Sequence, residues 1–262
     1  MSFHCGVKEI LTVQCDQLSQ GMRQHILWLR ERLLCWFEQY GRSFPWRELG
    51  RSPYELAIAE ILLQRTAAAG VARAFPGFIA RYPTWEVMAG TSLEELQEAL
   101  RPLGLWRQKA HALLDLANVV EKKRGELPCS RRDLECLPGV GPYTASAVMV
   151  AVYGLHEPFV DVNMARVLSR FFGTQACDSS VRSASLHTLA FHLVCCERCL
   201  PVNWAVLDFA ALVCRARGPL CQECLLWEEC QFVRGSDQSP DPASWCEQKG
   251  RVLYTTLERG EM

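Results

Sequence analysis

Apolar residues recur every three to four positions along most of this chain, the spacing of one face of an α-helix. Within residues 23–40, Ile26, Leu29, Leu33, Trp36, Phe37 and Tyr40 fall on one stripe, and Gly41 ends the run. SPYE at 52–55 is a capping box with Pro53 at the first helical position, and the pattern carries its helix to Gly70. TSLE at 91–94 and SRRD at 130–133 mark two more starts, the second with Asp in place of Glu. Residues 106–124 form a long amphipathic segment stopped by Gly125. Further helices are predicted over 142–153, 163–172, 181–195 and 203–213. No run alternates as a half-buried strand does, so the expected fold class is all-α. The tail 235–262 is polar and begins with SDQSPDPAS, which predicts a linker followed by a loosely docked segment.

Composition narrows the setting. The chain has 262 residues, 49% hydrophobic and 22% charged, as a globular protein does and a disordered or membrane-spanning one does not. The opening MSFHCGVKEI lacks the charged start, apolar core and small-residue cleavage site of a signal peptide, so an intracellular location and no membrane partner are expected. In that setting 14 cysteines read as buried thiols or metal ligands rather than disulfides. The net charge is −1 but uneven: residues 101–132 carry +5 and residues 223–262 carry −4. A local basic face can hold a polyanion on a near-neutral protein, although a solvated helix surface explains the same charges.

Four cysteines stand out by their regularity. Cys214, Cys221, Cys224 and Cys230 are spaced C-x6-C-x2-C-x5-C within 17 residues, with Arg215 and Arg217 inside the first gap. Zinc and iron–sulfur sites both take four thiolates. A compact loop with one CxxC suits a cubane better than a zinc ribbon, but spacing alone leaves the metal open. The run CCERC at 195–199 is as dense without that regularity.

LPGVGPYTASAV at 137–148 reads as a turn into a helix. Gly139 and Gly141 allow tight backbone geometry. Their amides, with Val140 between them and the free N–H groups of the Pro142 helix, suit a single phosphate. No GKS or GKT follows, so this is not a nucleotide P-loop. Two acids sit in apolar surroundings. Glu60 is the only charge in LAIAEILLQ, with Gln64 one turn on. Asp161, in EPFVDVNMARVL, reads equally as a helix cap or a catalytic acid. Two such carboxylates suit cleavage of a glycosidic bond, one aiding the departing base and one stabilising charge on the sugar.

Taken in this order, LPGVG, an Asp some twenty residues later and the four-cysteine spacing resemble the helix-hairpin-helix DNA glycosylases of the endonuclease III and MutY superfamily, over about residues 25–232. The resemblance implies an endonuclease III-like two-domain helical fold. A six-helix barrel with the helix-hairpin-helix would span 51–154, and a cluster domain would combine 23–50 with 155–232, flanked by tails at 1–22 and 233–262. It implies a [4Fe-4S] cluster on the four cysteines that shapes the loop carrying Arg215 and Arg217 toward DNA phosphates. It places DNA and the active site in the cleft between the domains. Gln64 and Leu105 match wedge positions that fill the stack when a base is flipped, although Leu105 also reads as a helix-end core residue. The lyases of the family carry Lys where Tyr143 stands, so a monofunctional glycosylase is implied. Tyr143, FPWR at 44–47, RSPYELAIAEILLQRT at 51–66 and VDVNMARVL at 160–168 look most like the Mig-type mismatch glycosylases, which remove T or U opposite G. By that likeness Asp161, Glu60 and Tyr143 form the catalytic set, on duplex DNA carrying a mismatched or damaged base, in a monomer. Alternatives are an adenine glycosylase of the MutY type (which usually has Ser at the Tyr143 position), a glycosylase for another damaged base, and a non-catalytic cluster-bearing DNA-binding module.

Overall fold

The computed structural model describes residues 18–173 and 180–235. The expectations for residues 1–17 and for the C-terminal tail from 236 lie outside the described residues. The described chain is all-helical, with twelve α-helices and two 3-10 turns and no strand. It divides into two compact units: one takes the described residues up to Gly41 and from Val160 on, the other is Arg42–Phe159.

The second unit opens with a 3-10 turn, Pro45–Arg47. Seven helices follow: α2 Pro53–Leu63, α3 Ala68–Arg81, α4 Trp85–Ala89, α5 Leu93–Leu100, α6 Trp106–Glu121, α7 Arg131–Glu135 and α8 Pro142–Tyr153. The sequence PYTASAVMVAVY is apolar all round, and accordingly Thr144 to Val150 of α8 are all buried. Helix α8 packs on α2, and α6 takes α4 and α5 on its apolar face. Residues 42–50, assigned from sequence to the cluster domain, belong to this unit, because Trp46 is buried and meets Phe75 edge-on at 5.8 Å.

The first unit contains α1 Gln20–Tyr40, α9 Val162–Phe172, α10 Ala184–Val194, α11 Cys199–Leu212, a 3-10 turn at Cys221–Glu223 and the short α12 Gln231–Arg234. Helix α1 buries Ile26, Leu29, Leu33, Leu34 and Trp36 against α10 and α11.

The caps follow the sequence closely. Ser52 accepts the Glu55 N–H while the Glu55 carboxylate accepts the Ser52 N–H, and Ser130 accepts the Asp133 N–H. In TSLE the cap is Ser92 rather than Thr91. The helix expected to run from Ser52 to Gly70 instead stops at Leu63. Gln64 leaves the helical region and Arg65 turns left-handed at φ 53°, before α3 restarts at Ala68. The alanines at 67–69 keep the apolar period going across the break, so periodicity alone hid it.

Candidate active site and cluster loop

The break after α2 is the first part of the site. Gln64 is exposed, and its Nε2 donates to the Gly139 carbonyl at 2.8 Å and to Thr144 Oγ1 at 3.3 Å. The expected wedge residue is therefore tied to the turn between α7 and α8. In that turn Gly139 has φ 73°, and a Cβ there would lie 2.9 Å from the Ala112 Cβ, so both conformation and space demand glycine. A Cβ on Gly141 would meet nothing within 4 Å, which leaves that side of the turn open for a ligand. Val140 serves the turn itself: its side chain is buried and its N–H donates to the Leu137 carbonyl at 3.1 Å. Its amide is thus already committed, unlike the role expected from sequence.

Leu105 is 40% exposed and left-handed (φ 57°) just before α6, so it is not a core residue. Tyr143, second residue of α8, is half-buried with its ring 5.7 Å from that of Phe159.

Glu60 lies in α2 with its Oε2 sealed from solvent and without a hydrogen-bond partner. Burial pushes its carboxyl up to about 7, and the Arg47 charge pulls the other way. Arg47 was not singled out from sequence, although FPWR places it. Its guanidinium lies 4.9 Å above the Phe44 ring, which stacks on Trp46 at 4.7 Å, and its Nη1 donates to the Arg42 carbonyl at 3.0 Å. A lone arginine in the segment before a helix carries no signal of its own; only the aromatic ladder beside it fixes where its charge falls.

Asp161, in the other unit, caps α9. Its Oδ1 accepts the Asn163 and Met164 N–H groups at 2.9 and 2.8 Å, and its Oδ2 accepts Asn163 Nδ2 at 2.6 Å. The capping role is therefore real. It also fixes the orientation of the carboxylate. The contacts continue: Arg166 Nη2 donates to Asn163 Oδ1 at 3.1 Å, and Arg166 Nε donates to the Cys214 carbonyl at 2.9 Å.

That carbonyl belongs to the cysteine loop. Cys214, Cys221, Cys224 and Cys230 are free thiols. Burial raises Cys221, Cys224 and Cys230, and each is raised further by neighbours within the set, so the four thiols converge. Arg170 of α9 reaches Cys214 Sγ at 3.4 Å and donates to the carbonyls of Arg215 (2.8 Å) and Ala216 (3.3 Å). Leu220 N–H closes the loop on the Val213 carbonyl at 3.0 Å. Arg215 and Arg217 are exposed on this loop. Among the described residues no three His, Cys, Asp or Glu side chains close around a single ion. A cubane takes one thiolate at each of four corners and does not need them to meet at one point, so the donor set fits it.

Glu60, Gln64, Leu105, Tyr143 and the glycine turn thus share one unit, and Asp161, the arginine loop and the cysteines share the other. The described residues include no helix long and apolar enough to cross a membrane.

The family model for HhH-GPD superfamily base excision DNA repair proteins matches residues 58–189, a span that runs from α2 through the glycine turn and Asp161 into α10. The chain belongs to that superfamily. The thymine-DNA glycosylase of Aeropyrum pernix is 37% identical over 214 residues, spanning 78% of this chain and 93% of the relative. The adenine DNA glycosylase of Homo sapiens is 34% identical over 218 residues, spanning 80% of this chain and 40% of the relative. Among solved structures, a thermostable thymine-DNA glycosylase superposes with TM-score 0.78 at 32% identity, spanning 83% of this chain and 100% of that one. This HhH-GPD chain therefore has the endonuclease III-like fold expected of it.

Proposed function

We propose that this protein is a monofunctional DNA glycosylase of base excision repair that hydrolyses the N-glycosidic bond of thymine or uracil opposite guanine. The observation that carries the choice of base is the likeness to a thymine-DNA glycosylase along 93% of that protein's length. Water adds across the bond: its oxygen joins C1′, the C1′–N1 electron pair leaves with the base, Asp161 takes a water proton and Glu60 returns one to the base. Asp161, whose carboxylate is oriented by accepting two backbone N–H groups, suits stabilisation of positive charge on the sugar. A pyrimidine has no N7 to protonate, so the protonated Glu60 donates to a ring carbonyl, directly or through water. Tyr143 packs within the sugar and base pocket and offers no amine for a Schiff base. The open side of the Gly139–Gly141 turn holds a phosphate, and Arg215 and Arg217 hold others. Gln64 and Leu105 fill the stack once the base has left it. The protein acts on duplex DNA as a monomer.

Cys214, Cys221, Cys224 and Cys230 would hold a [4Fe-4S] cluster. When bound, it supplies iron charge to stabilise the thiolates that burial disfavours. The chain's own residues Arg166 and Arg170 then hold the loop backbone in place.

A second reading, removal of adenine, draws on the likeness to the human adenine glycosylase, and Tyr143 in place of serine counts against it. A strand-cleavage panel decides between them, with duplexes carrying T·G, U·G, A opposite 8-oxoguanine and oxidised pyrimidines, each scored with and without alkali. Cleavage of T·G and U·G after alkali only is the expected result. Cleavage at adenine overturns the choice of base, and cleavage without alkali overturns the monofunctional reading.

A further inference from the structure

Lys109 lies in α6 within the basic tract, yet it is 3% exposed. A buried ammonium needs a partner, and the described residues offer it no carboxylate. Its Nζ instead donates to Thr66 Oγ1 and, at 2.8 Å, to the Gly104 carbonyl. Those two acceptors belong to two different turns. Thr66 follows Gln64 and Arg65, and its hydroxyl lies 3.4 Å from the Gln64 carbonyl, to which it donates. Gly104 precedes Leu105. Both turns contain a non-glycine residue in the left-handed region, Arg65 at φ 53° and Leu105 at φ 57°. Such residues are strained and persist only where their surroundings hold them. The turns also touch: a Cβ on Gly104 would sit 3.7 Å from Thr66 Oγ1 and 3.8 Å from the Arg65 carbonyl.

We propose that Lys109 is a positioning residue that staples the Gln64 turn to the Leu105 turn, so that the two side chains which enter the DNA stack do so at a fixed separation. The inference rests on the wedge reading of Gln64 and Leu105 given above. A cation suits the task better than a neutral donor. It makes charge-assisted bonds to both acceptors, and its position beneath two DNA-facing turns adds positive potential where phosphates approach. Burial lowers the amine's pKa, which is the cost of placing it there.

The staple would act on base extrusion and not on bond cleavage, and this separates it from a merely structural role. The test compares single-turnover removal of uracil opposite guanine with removal of uracil opposite an abasic residue, where extrusion breaks no base pair and depends less on the wedge. A 2-aminopurine next to the target reports extrusion by fluorescence. Lys109→Met should lower the ratio of the two rates about tenfold, equivalent to 1.4 kcal/mol, and reduce the fluorescence change. Thr66→Val removes one of the two acceptors at a half-exposed site, so it tests the staple even if Lys109→Met does not fold, and it should lower the same ratio about threefold. Leu105→Ala tests the wedge reading itself and should lower the ratio as well. If Leu105→Ala lowers the ratio while Thr66→Val and any folded Lys109→Met leave it unchanged, or slow both substrates equally, the staple is wrong and the wedge stands. If Leu105→Ala leaves the ratio unchanged, the wedge reading fails and takes the staple with it.

Discussion

Glu60 keeps its proton up to about neutral pH, where it is half ionised, because burial disfavours the anion more than Arg47 favours it. The folded carboxyl titrates at about 7, against an ordinary 4.5. Between those values the folded protein holds a proton that the unfolded chain has released, so stability falls as pH rises through that window, by up to about 3 kcal/mol. Glu60→Gln should remove that slope. Melting curves at about pH 5 and about pH 8 should differ less than in the parent, with the variant the more stable at the higher value. The same substitution should slow base removal by about 100-fold or more and abolish the fall in rate above neutral pH. Asp161 presents the complementary case, with one carboxylate that caps a helix and, on the proposed function, also serves the chemistry. Asparagine is as good a cap, so Asp161→Asn should retain stability and DNA binding while cleavage is lost in single-turnover assays. Asp161→Ala should lose cleavage and also about 1 kcal/mol of stability, read by urea denaturation. The sequence offered cap and catalyst as alternatives; the hydrogen bonds show the cap, and the catalytic role is the part these variants test.

At the scale of elements, α9 joins what sequence listed separately. Asp161, Asn163 and Arg166 form a chain of contacts that ends on the Cys214 carbonyl. Arg166→Met should therefore lower the single-turnover rate by roughly 10- to 100-fold with little change in binding to an abasic duplex, since it misplaces the carboxylate proposed to be catalytic without removing a proposed DNA contact. Helix existence was legible here, because capping residues and apolar stripes are local signals. The break at Gln64 was not, since it depends on a left-handed residue, Arg65, that no local rule predicts. Lys109 was misread for a related reason: a lysine on an amphipathic helix counts as surface until its acceptors on two other turns are known.

At the scale of the whole molecule, a net charge of −1 gives no general attraction to DNA, so affinity must come from local groups. Arg217→Ala should weaken binding to matched and mismatched duplexes alike and reduce the slope of log K against log salt by about 0.9, measured by fluorescence anisotropy at several salt concentrations. The all-helical fold was legible from periodicity, and its superfamily from the conjunction of LPGVG, Asp161 and the cysteine spacing. Those motifs stay close in sequence because the geometry they make is local. Arg47, Arg166 and Arg170 stayed invisible because their importance lies in contacts that tertiary structure creates.

The cap at Asp161 has a consequence for inheritance. Aspartate and asparagine codons differ by one G-to-A transition, the change left when a cytosine on the opposite strand deaminates and the resulting mismatch is copied. On the proposed substrate, that is the damage this protein removes. A lapse of repair within its own gene would then yield a chain that still folds, still carries its arginine loop and still occupies damaged sites, but no longer clears them. Because asparagine keeps the helix capped, instability would not eliminate such a product. Wherever a working copy is also present, the two would compete for the same lesions, and the harm would come from the presence of the inactive chain.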